Sequence, residues 1–505
     1  MTADARFAYD EVLYSSHALP QTHPDHLATL AILFGMRPAP AESCRVLELG
    51  CGNGANLIPM ALTLPGSRFA GIDLAGVPIA TARALAGRLE LGNIVFHQLD
   101  VADVSPGFGE FDYVIAHGFY SWAPPAVRDK LLAVCKANLA PDGVAYVSYN
   151  TYPGCHLRNM IREMLLYQTR DIADPELKLK HAFALVNFLA ASNPKSPALR
   201  EELQAIRSRD PSVVFHDDLA GVNDPVYFHQ FIEHAQGHGL QFLAEAEFFS
   251  MQLAGFPGDV VDTIHLLARG DRIREQQYLD FLKCRRFRQT LLCHQGMRLE
   301  DPPSAQRVTR LCVASPAKPV HDTPDIRSDE EEEFRSLDGG SMKTNLPLAK
   351  AAILHLTNCW PLAAPFDELL RETRALLGAD SAPTAEDAST LADLLMKIYT
   401  SGLVELHATP SRFTLRLSER PRAFALARLE AQSGTRVTTL RHSAVELQDD
   451  VVRQLVVLLD GSRDHAAVLR DLQSLAEPGQ QSNPFLPADL ERNLREMARL
   501  ALLEI

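Results

Sequence analysis

"VLELGCGNGANLIPMA", residues 46–61, runs from an apolar strand pattern through three glycines into a helical pattern. Glycine at such a junction lets the backbone turn sharply and approach a ligand closely. The turn can cradle a dinucleotide, a phosphate, or a nucleoside cofactor without phosphate. "GCGNGA", residues 50–55, fits the G-x-G-x-x-G/A pattern of nicotinamide and flavin enzymes, whose pyrophosphate sits on the following helix N-terminus. A lone match of that kind is weak. Glu48 favours another cofactor. A carboxylate two residues before the first glycine is poorly placed for a pyrophosphate and suits the cationic methionine end of S-adenosylmethionine. On that reading Glu48, Gly50, Cys51, Gly52 and Gly54 bind the cofactor.

Strand-like and helix-like patterns alternate outward from this turn. "CRVLELG", "RFAGIDL", "IVFHQLD", "FDYVIAHG" and "GVAYVSYN" read as five strands, with helices such as "VPIATARALAGRLEL" and "PPAVRDKLLAVCKANL" between most of them. This is the signature of a Rossmann-like α/β sheet, in which ligands bind outside the carboxyl ends of the strands. Gly50 to Gly54, Asp73, Asp100, His117 and Asn150 are therefore expected on one rim. Asp73 fits an acceptor for ribose hydroxyls, a feature common to both cofactor readings. Asp100 is placed to accept from an adenine amino group, with Leu74 and Val101 packing on the ring. Taken singly, each aspartate could be a helix cap.

After Asn150 the pattern turns helical to about residue 210. "FHQFIEHAQGHGLQFLAEAEFFSM" then reads as helix, turn and strand, and "RQTLLCH" as a further strand, so these two could close the sheet around a helical insertion. A Pro-, Ser- and charge-rich stretch over 295–329 marks a boundary, and "EEEEFRSLDGGSMKTN" reads as a hairpin turned at Asp338-Gly339-Gly340. "LADLLMKIYTSGLVELHATPSRFTLRLS" reads as helix, strand, turn, strand, a winged-helix pattern, with a degenerate second copy after it. The expected division is an N-terminal helical lid (1–43), a cofactor-binding core (44–160), a helical insertion with possible closing strands (161–295), a linker and hairpin (296–345), and a winged-helix-like C-terminal domain (346–505).

Composition narrows the chemistry. The 505 residues carry a formal net charge of −14, which disfavours a nucleic-acid partner. No apolar run approaches the roughly 18 residues of a spanning helix, and the first residues lack a signal-peptide pattern, so a cytoplasmic protein without membrane insertion is expected. Eight scattered cysteines without a CxxC pair argue against disulfides or a zinc knuckle. His23 and His26 in "THPDH" have approximate ligand spacing, but Pro24 and the lack of a carboxylate-rich partner argue against a metal there. Neither a GxSxG elbow nor a phosphate-binding GxxxxGK[ST] occurs.

Residues 45–149 resemble a class I S-adenosylmethionine-dependent methyltransferase. "YDEVLYSSHALPQTHPDHLATLAILFGM", "FDYVIAHGFYSWAP", "VSYNTYPGCH" and "REQQYLDFLKCRRFRQTLLCH" are similar to bacterial methyltransferases carrying a methyltransferase regulatory domain, among them the rickettsial protein-lysine methyltransferases. The resemblance extends over nearly the whole chain and is looser after Pro316. It departs at Cys155, where many relatives carry an aromatic residue. It implies a protein-lysine N-methyltransferase, with a small-molecule N- or O-methyltransferase and a non-catalytic S-adenosylmethionine sensor as alternatives. It implies acceptor-contacting roles for His117, Tyr120 and Trp122 after the fourth strand and for Asn150 and Tyr152 on the neighbouring rim. It also makes Tyr14 and Thr22 part of a lid over the cofactor. The sequence leaves the oligomeric state open.

Overall fold

Seven strands form one sheet in the order β3-β2-β1-β4-β5-β7-β6. They are β1 (Arg45–Leu49), β2 (Arg68–Asp73), β3 (Ile94–Gln98), β4 (Phe111–Ala116), β5 (Leu139–Asn150), β6 (Leu240–Glu245) and β7 (Phe287–His294). The computed structural model describes residues 12, 14, 16–192, 194–253, 255–336, 340–379, 382–475 and 486–505. β1 to β5 pair in parallel, and β7 runs antiparallel to both of its neighbours. β1 and β4 lie at the centre and are buried almost throughout, which is why both read as continuous apolar runs. Strand order reverses between them, so the ligand crevice of such a sheet opens at their carboxyl ends.

The two late strands close the sheet, with β7 inserted between β5 and β6. Arg288 on β7 holds this edge. Its guanidinium, fully buried, bonds Glu245 of β6 at 2.7 Å and Asp280 at 2.8 Å. Three helices, Cys155–Thr169, Pro175–Ala191 and Pro197–Arg207, stand between β5 and β6 in the chain. They pack around an apolar cluster of their own, including Ile161, Leu165, Val186, Leu203 and Val214. The stretch 161–295 thus contains a separate helical cluster followed by the edge of the main sheet.

Several local expectations change. Pro24 does not break a helix but opens one, Pro24–Leu33, at the first position where its missing N–H is harmless. Ahead of that helix the chain is extended over residues 16–19, with a single 3-10 turn at Pro20–Thr22. The Thr22 N–H and hydroxyl both bond the Leu19 carbonyl in this turn (2.9 and 2.8 Å), and the Leu19 N–H and the Thr22 hydroxyl also meet the Asn56 side chain. The expected linker supplies a buried strand, Cys312–Ala314, paired with both Ala364–Pro365 and Glu405–His407. It takes the place expected for "RFTLRLS", which forms no strand; Phe413 there makes an isolated bridge to Glu504. Glu332–Arg335 and Ser341–Thr344 form the expected hairpin, although Asp338 and Gly339 of its turn lie outside the described residues. Among the described residues no helix is long and apolar enough to cross a membrane.

Candidate active site

The glycine turn leaves β1 with Gly50, Gly52 and Gly54 all at positive φ (78°, 53° and 76°). At Gly50 a Cβ would stand 2.8 Å from the Phe119 ring, and at Gly54 2.6 Å from the Phe96 ring. Both positions thus exclude a side chain by conformation and by space. Gly50 and Cys51 donate their N–H groups to the Ile72 carbonyl (2.8 and 3.0 Å), which folds the turn over the end of β2. There the Asp73 carboxylate accepts from the N–H of Gly52 and of Ala75, each at 2.9 Å.

Glu48 sits beneath this turn, 4 % exposed. Its Oε1 accepts from Asn56 Nδ2 at 2.8 Å, while its Oε2 is buried and has no partner among the described residues. Burial pushes its carboxyl up to about 8 against the Asn56 bond, with the Asp73 charge adding to the rise. A buried carboxylate with an unpartnered oxygen is an acceptor waiting for a cation or a donor.

A cleft of about 500 Å³ opens over these residues. It gathers most of the predicted site: Tyr14, Glu48, Gly50, Cys51, Gly52, Asp73, Leu74, Asp100, Val101, His117, Trp122 and Asn150. Asp100 holds the chain beyond β3 by accepting from Ala102 N–H at 3.0 Å. His117 Nδ1 lies 2.9 Å from the Tyr146 hydroxyl, which donates to Gln289 Oε1. Tyr146 oxygen therefore accepts from His117 Nδ1–H, and the ring keeps its lone pair on Nε2. Burial, with the nearby His17 charge, lowers His117 to about 4, so the imidazole is neutral at ordinary pH. Asn150 donates Nδ2 to Asn223 (2.9 Å), leaving its carbonyl oxygen as the atom with which it can accept from a ligand. The Trp122 indole N–H is buried and unpartnered among the described residues.

Four predicted residues lie outside this cleft. Tyr120 turns away from it: its hydroxyl is 2.9 Å from His234 Nδ1 and its ring packs edge-on against Phe231, because the apolar space beneath the 120–122 turn takes up the ring. Tyr152 stacks on His156 with centroids 4.0 Å apart. Thr22 is buried behind the turn on Asn56, and Gly54 faces Phe96. The cleft also has walls the sequence did not reveal. Arg158, Arg209 and Asp217 come from the helical cluster and Arg286 from the approach to β7. Arg158 bonds Asp218 at 2.9 Å and Asp217 at 3.3 Å, Arg209 bonds Asp218 at 3.0 Å, and Arg286 pairs with Glu202. A π turn over Val214–Asp218 sets the two aspartates side by side. Tyr14 crosses above, edge-on to His216 at 5.7 Å. Asn56 was within reach of sequence reading, as a polar residue on the helical side of the glycine turn; the arginines were not, since their place depends on how the inserted helices dock.

Comparison with known proteins then identifies the family. The methyltransferase domain family matches residues 47–145, the "Predicted methyltransferase regulatory domain" matches 210–294, and the "PKMT, C-terminal winged helix domain" matches 419–499. An uncharacterized protein of Rickettsia prowazekii is 31% identical over 485 residues, covering 94% of this chain and 86% of its own. PKMT2 from Rickettsia typhi superposes with a TM-score of 0.86 at 26% identity, over 97% of this chain and 99% of that one; it has also been solved in complex with AdoHcy. The chain belongs to the class I S-adenosylmethionine-dependent methyltransferases of rickettsial PKMT type. S-adenosylmethionine is the cofactor of this methyltransferase, and the orphaned Glu48 oxygen and the side-chain-free glycine cradle fit a cationic nucleoside ligand.

Proposed function

We propose that this methyltransferase modifies the side-chain amine of protein lysine. The observation that carries the proposal is the likeness to Rickettsia typhi PKMT2 along the whole chain, winged helix included. When bound, S-adenosylmethionine supplies an electrophilic methyl group on a sulfonium sulfur. Glu48 would hold its amino group, Asp73 would accept from the ribose hydroxyls, and Asp100, with Leu74 and Val101 beside it, would hold the adenine. Tyr14, reaching over from the N-terminal segment, covers the cleft.

The acceptor amine must be neutral to attack. Burial in the cleft disfavours its ammonium form, since desolvation lowers an amine's pKa; Arg158, Arg209 and Arg286 on the far wall are paired with Asp217, Asp218 and Glu202 and add no net positive charge. Asn150 orients the amine through its carbonyl oxygen, and the neutral His117 Nε2 accepts a hydrogen bond from it; with a pKa lowered to about 4 the imidazole positions the amine and does not store its proton. The helical cluster of the insertion, by supplying the arginines, shapes the acceptor end of the cleft.

The test is incubation of the full chain with methyl-labelled cofactor, a lysine-rich protein substrate pool and a metabolite pool, followed by mass spectrometry. Label on lysine side chains is expected; label confined to metabolites overturns the reading. His117→Asn should lower kcat by about 100-fold with little change in cofactor affinity.

A further inference from the structure

The helix Phe228–Gly237 lies in the segment matching the regulatory-domain family, and the helix Pro125–Asn138 in the segment matching the methyltransferase domain. Where they meet, His234 and His238 stand one turn apart with both Nε2 atoms turned to Asp129. Asp129 Oδ1 is 2.9 Å from His238 Nε2 and 3.4 Å from His234 Nε2, and the three candidate ligand atoms lie within 4.8 Å of one another. Ligands of a tetrahedral zinc ion held at about 2.0 Å are about 3.3 Å apart, so little movement separates this cluster from a coordination sphere. The second ring nitrogen of His234, Nδ1, is 2.9 Å from the Tyr120 hydroxyl. A proton on Nδ1 given to that oxygen leaves the Nε2 lone pair for a metal, the arrangement in which an outer partner fixes a metal-binding imidazole.

We propose that Asp129, His234 and His238 bind a divalent transition metal of the zinc class and so bridge the catalytic and regulatory segments. Two imidazoles and one carboxylate suit zinc and its neighbours better than magnesium or calcium, which favour all-oxygen sites. On binding, the Nε2 protons that face Asp129 are released to solvent or replaced by protons on Nδ1, so that each imidazole carries its one proton on Nδ1 and gives the Nε2 lone pair to the ion. The Asp129 side chain is 63% exposed, so the fourth position opens to water. The site is also linked to the cleft through one turn. Tyr120, which orients His234, belongs to the turn Tyr120–Trp122, and Trp122 and the preceding Phe119 line the cofactor cleft. A bound ion therefore stiffens one wall of the cofactor site.

The test uses full-length protein stripped with a chelator, desalted, and titrated with zinc chloride in competition with a chromophoric chelator. One equivalent per chain is expected. His234→Ala, His238→Ala and Asp129→Asn should each raise the Kd at least 10-fold, and Tyr120→Phe, which keeps the packed ring, by about 10-fold. Asp129 is a surface position, so lost binding in Asp129→Asn does not come from unfolding. X-ray absorption of the zinc form should show nitrogen and oxygen neighbours only. Absence of saturable binding, sulfur in the coordination shell, or wild-type affinity in the His234→Ala/His238→Ala double variant would each overturn the proposal.

Discussion

Glu48 behaves as a carboxylic acid near neutrality because it is buried beside Asp73 with one oxygen unpartnered. In the proposed role, the ionised form attracts the cofactor's cation and the protonated form does not. Cofactor affinity should therefore rise with pH up to about 8, and Glu48→Gln should abolish that slope and weaken binding at pH 8 by at least about 10-fold, measured by calorimetric titration. Stability moves the opposite way. The folded pKa lies above the unfolded value near 4.5, so the stabilisation from a neutral Glu48 is complete below that value and lost as pH rises through about 8. Ligand-free Glu48→Gln should consequently melt higher than wild type at pH 8.5 and nearly equally at pH 4.5; a lower Tm at pH 8.5 would contradict the buried charge. Glu48 was readable in the sequence because its distance from the glycines is fixed by one strand. The direction of the Tyr120 side chain was not readable, because a short turn after β4 can send it either to the cleft or to the core, and only packing on Phe231 and Tyr149 decides.

The elements that were legible are those whose apolar residues recur at the spacing of a strand or helix packed into the sheet's layers. β1 to β5 and their crossover helices form one apolar layer system, and each announces itself locally. The strand Glu405–His407 was legible too, but its partner was not: short strands carry little register information, and Cys312–Ala314 outcompetes the nearer segment by being apolar and fully buried. The glycine turn is the element most open to test. Gly50→Ala places a Cβ against Phe119 at a φ of 78°. That conformation costs a non-glycine residue on the order of 1 kcal/mol before the clash is counted. Because the turn is a rim feature and the core beneath it is large, the variant should stay folded by circular dichroism and lose cofactor affinity by more than about 10-fold. Unchanged affinity would mean that the turn does not face the ligand.

At the scale of the molecule, the C-terminal part meets the catalytic part through several polar contacts, among them Thr409 on Asp25 and Arg412 on Glu42, and two of them can be tested directly. His407 bonds Asp25 of the helix Pro24–Leu33 at 2.9 Å and Glu405 at 3.3 Å, and Arg441 reaches Glu405 as well. Burial opposes the imidazolium, but the bonds to Asp25 and Glu405 prevail and raise His407 to about 9. Its raised pKa means the tie is complete below about 6.5 and lost as pH rises through 9. Tm should fall by a few degrees more between pH 7 and 9.5 in wild type than in His407→Gln; equal falls would assign the pH response elsewhere. The second tie ends in the active site. His442, on the turn between Arg436–Thr438 and Ala444–Glu446, is buried and places Nε2 2.8 Å from Asn56 Oδ1. Asn56 donates its amide to Glu48, so its oxygen must accept and His442 must carry its proton on Nε2. The C-terminal domain thus reaches Glu48 through Asn56, whose oxygen also meets the Leu19 N–H and the Thr22 hydroxyl. Removing a buried donor of this kind costs about 1–3 kcal/mol. His442→Phe, which keeps a ring and loses the donor, should raise the cofactor Kd by about 10-fold with kcat at saturating cofactor little changed. His442→Gln, whose amide can donate to the same oxygen, should recover most of that loss. If Phe and Gln behave alike, His442 fills space, and the link from the C-terminal domain to Glu48 is one of packing alone.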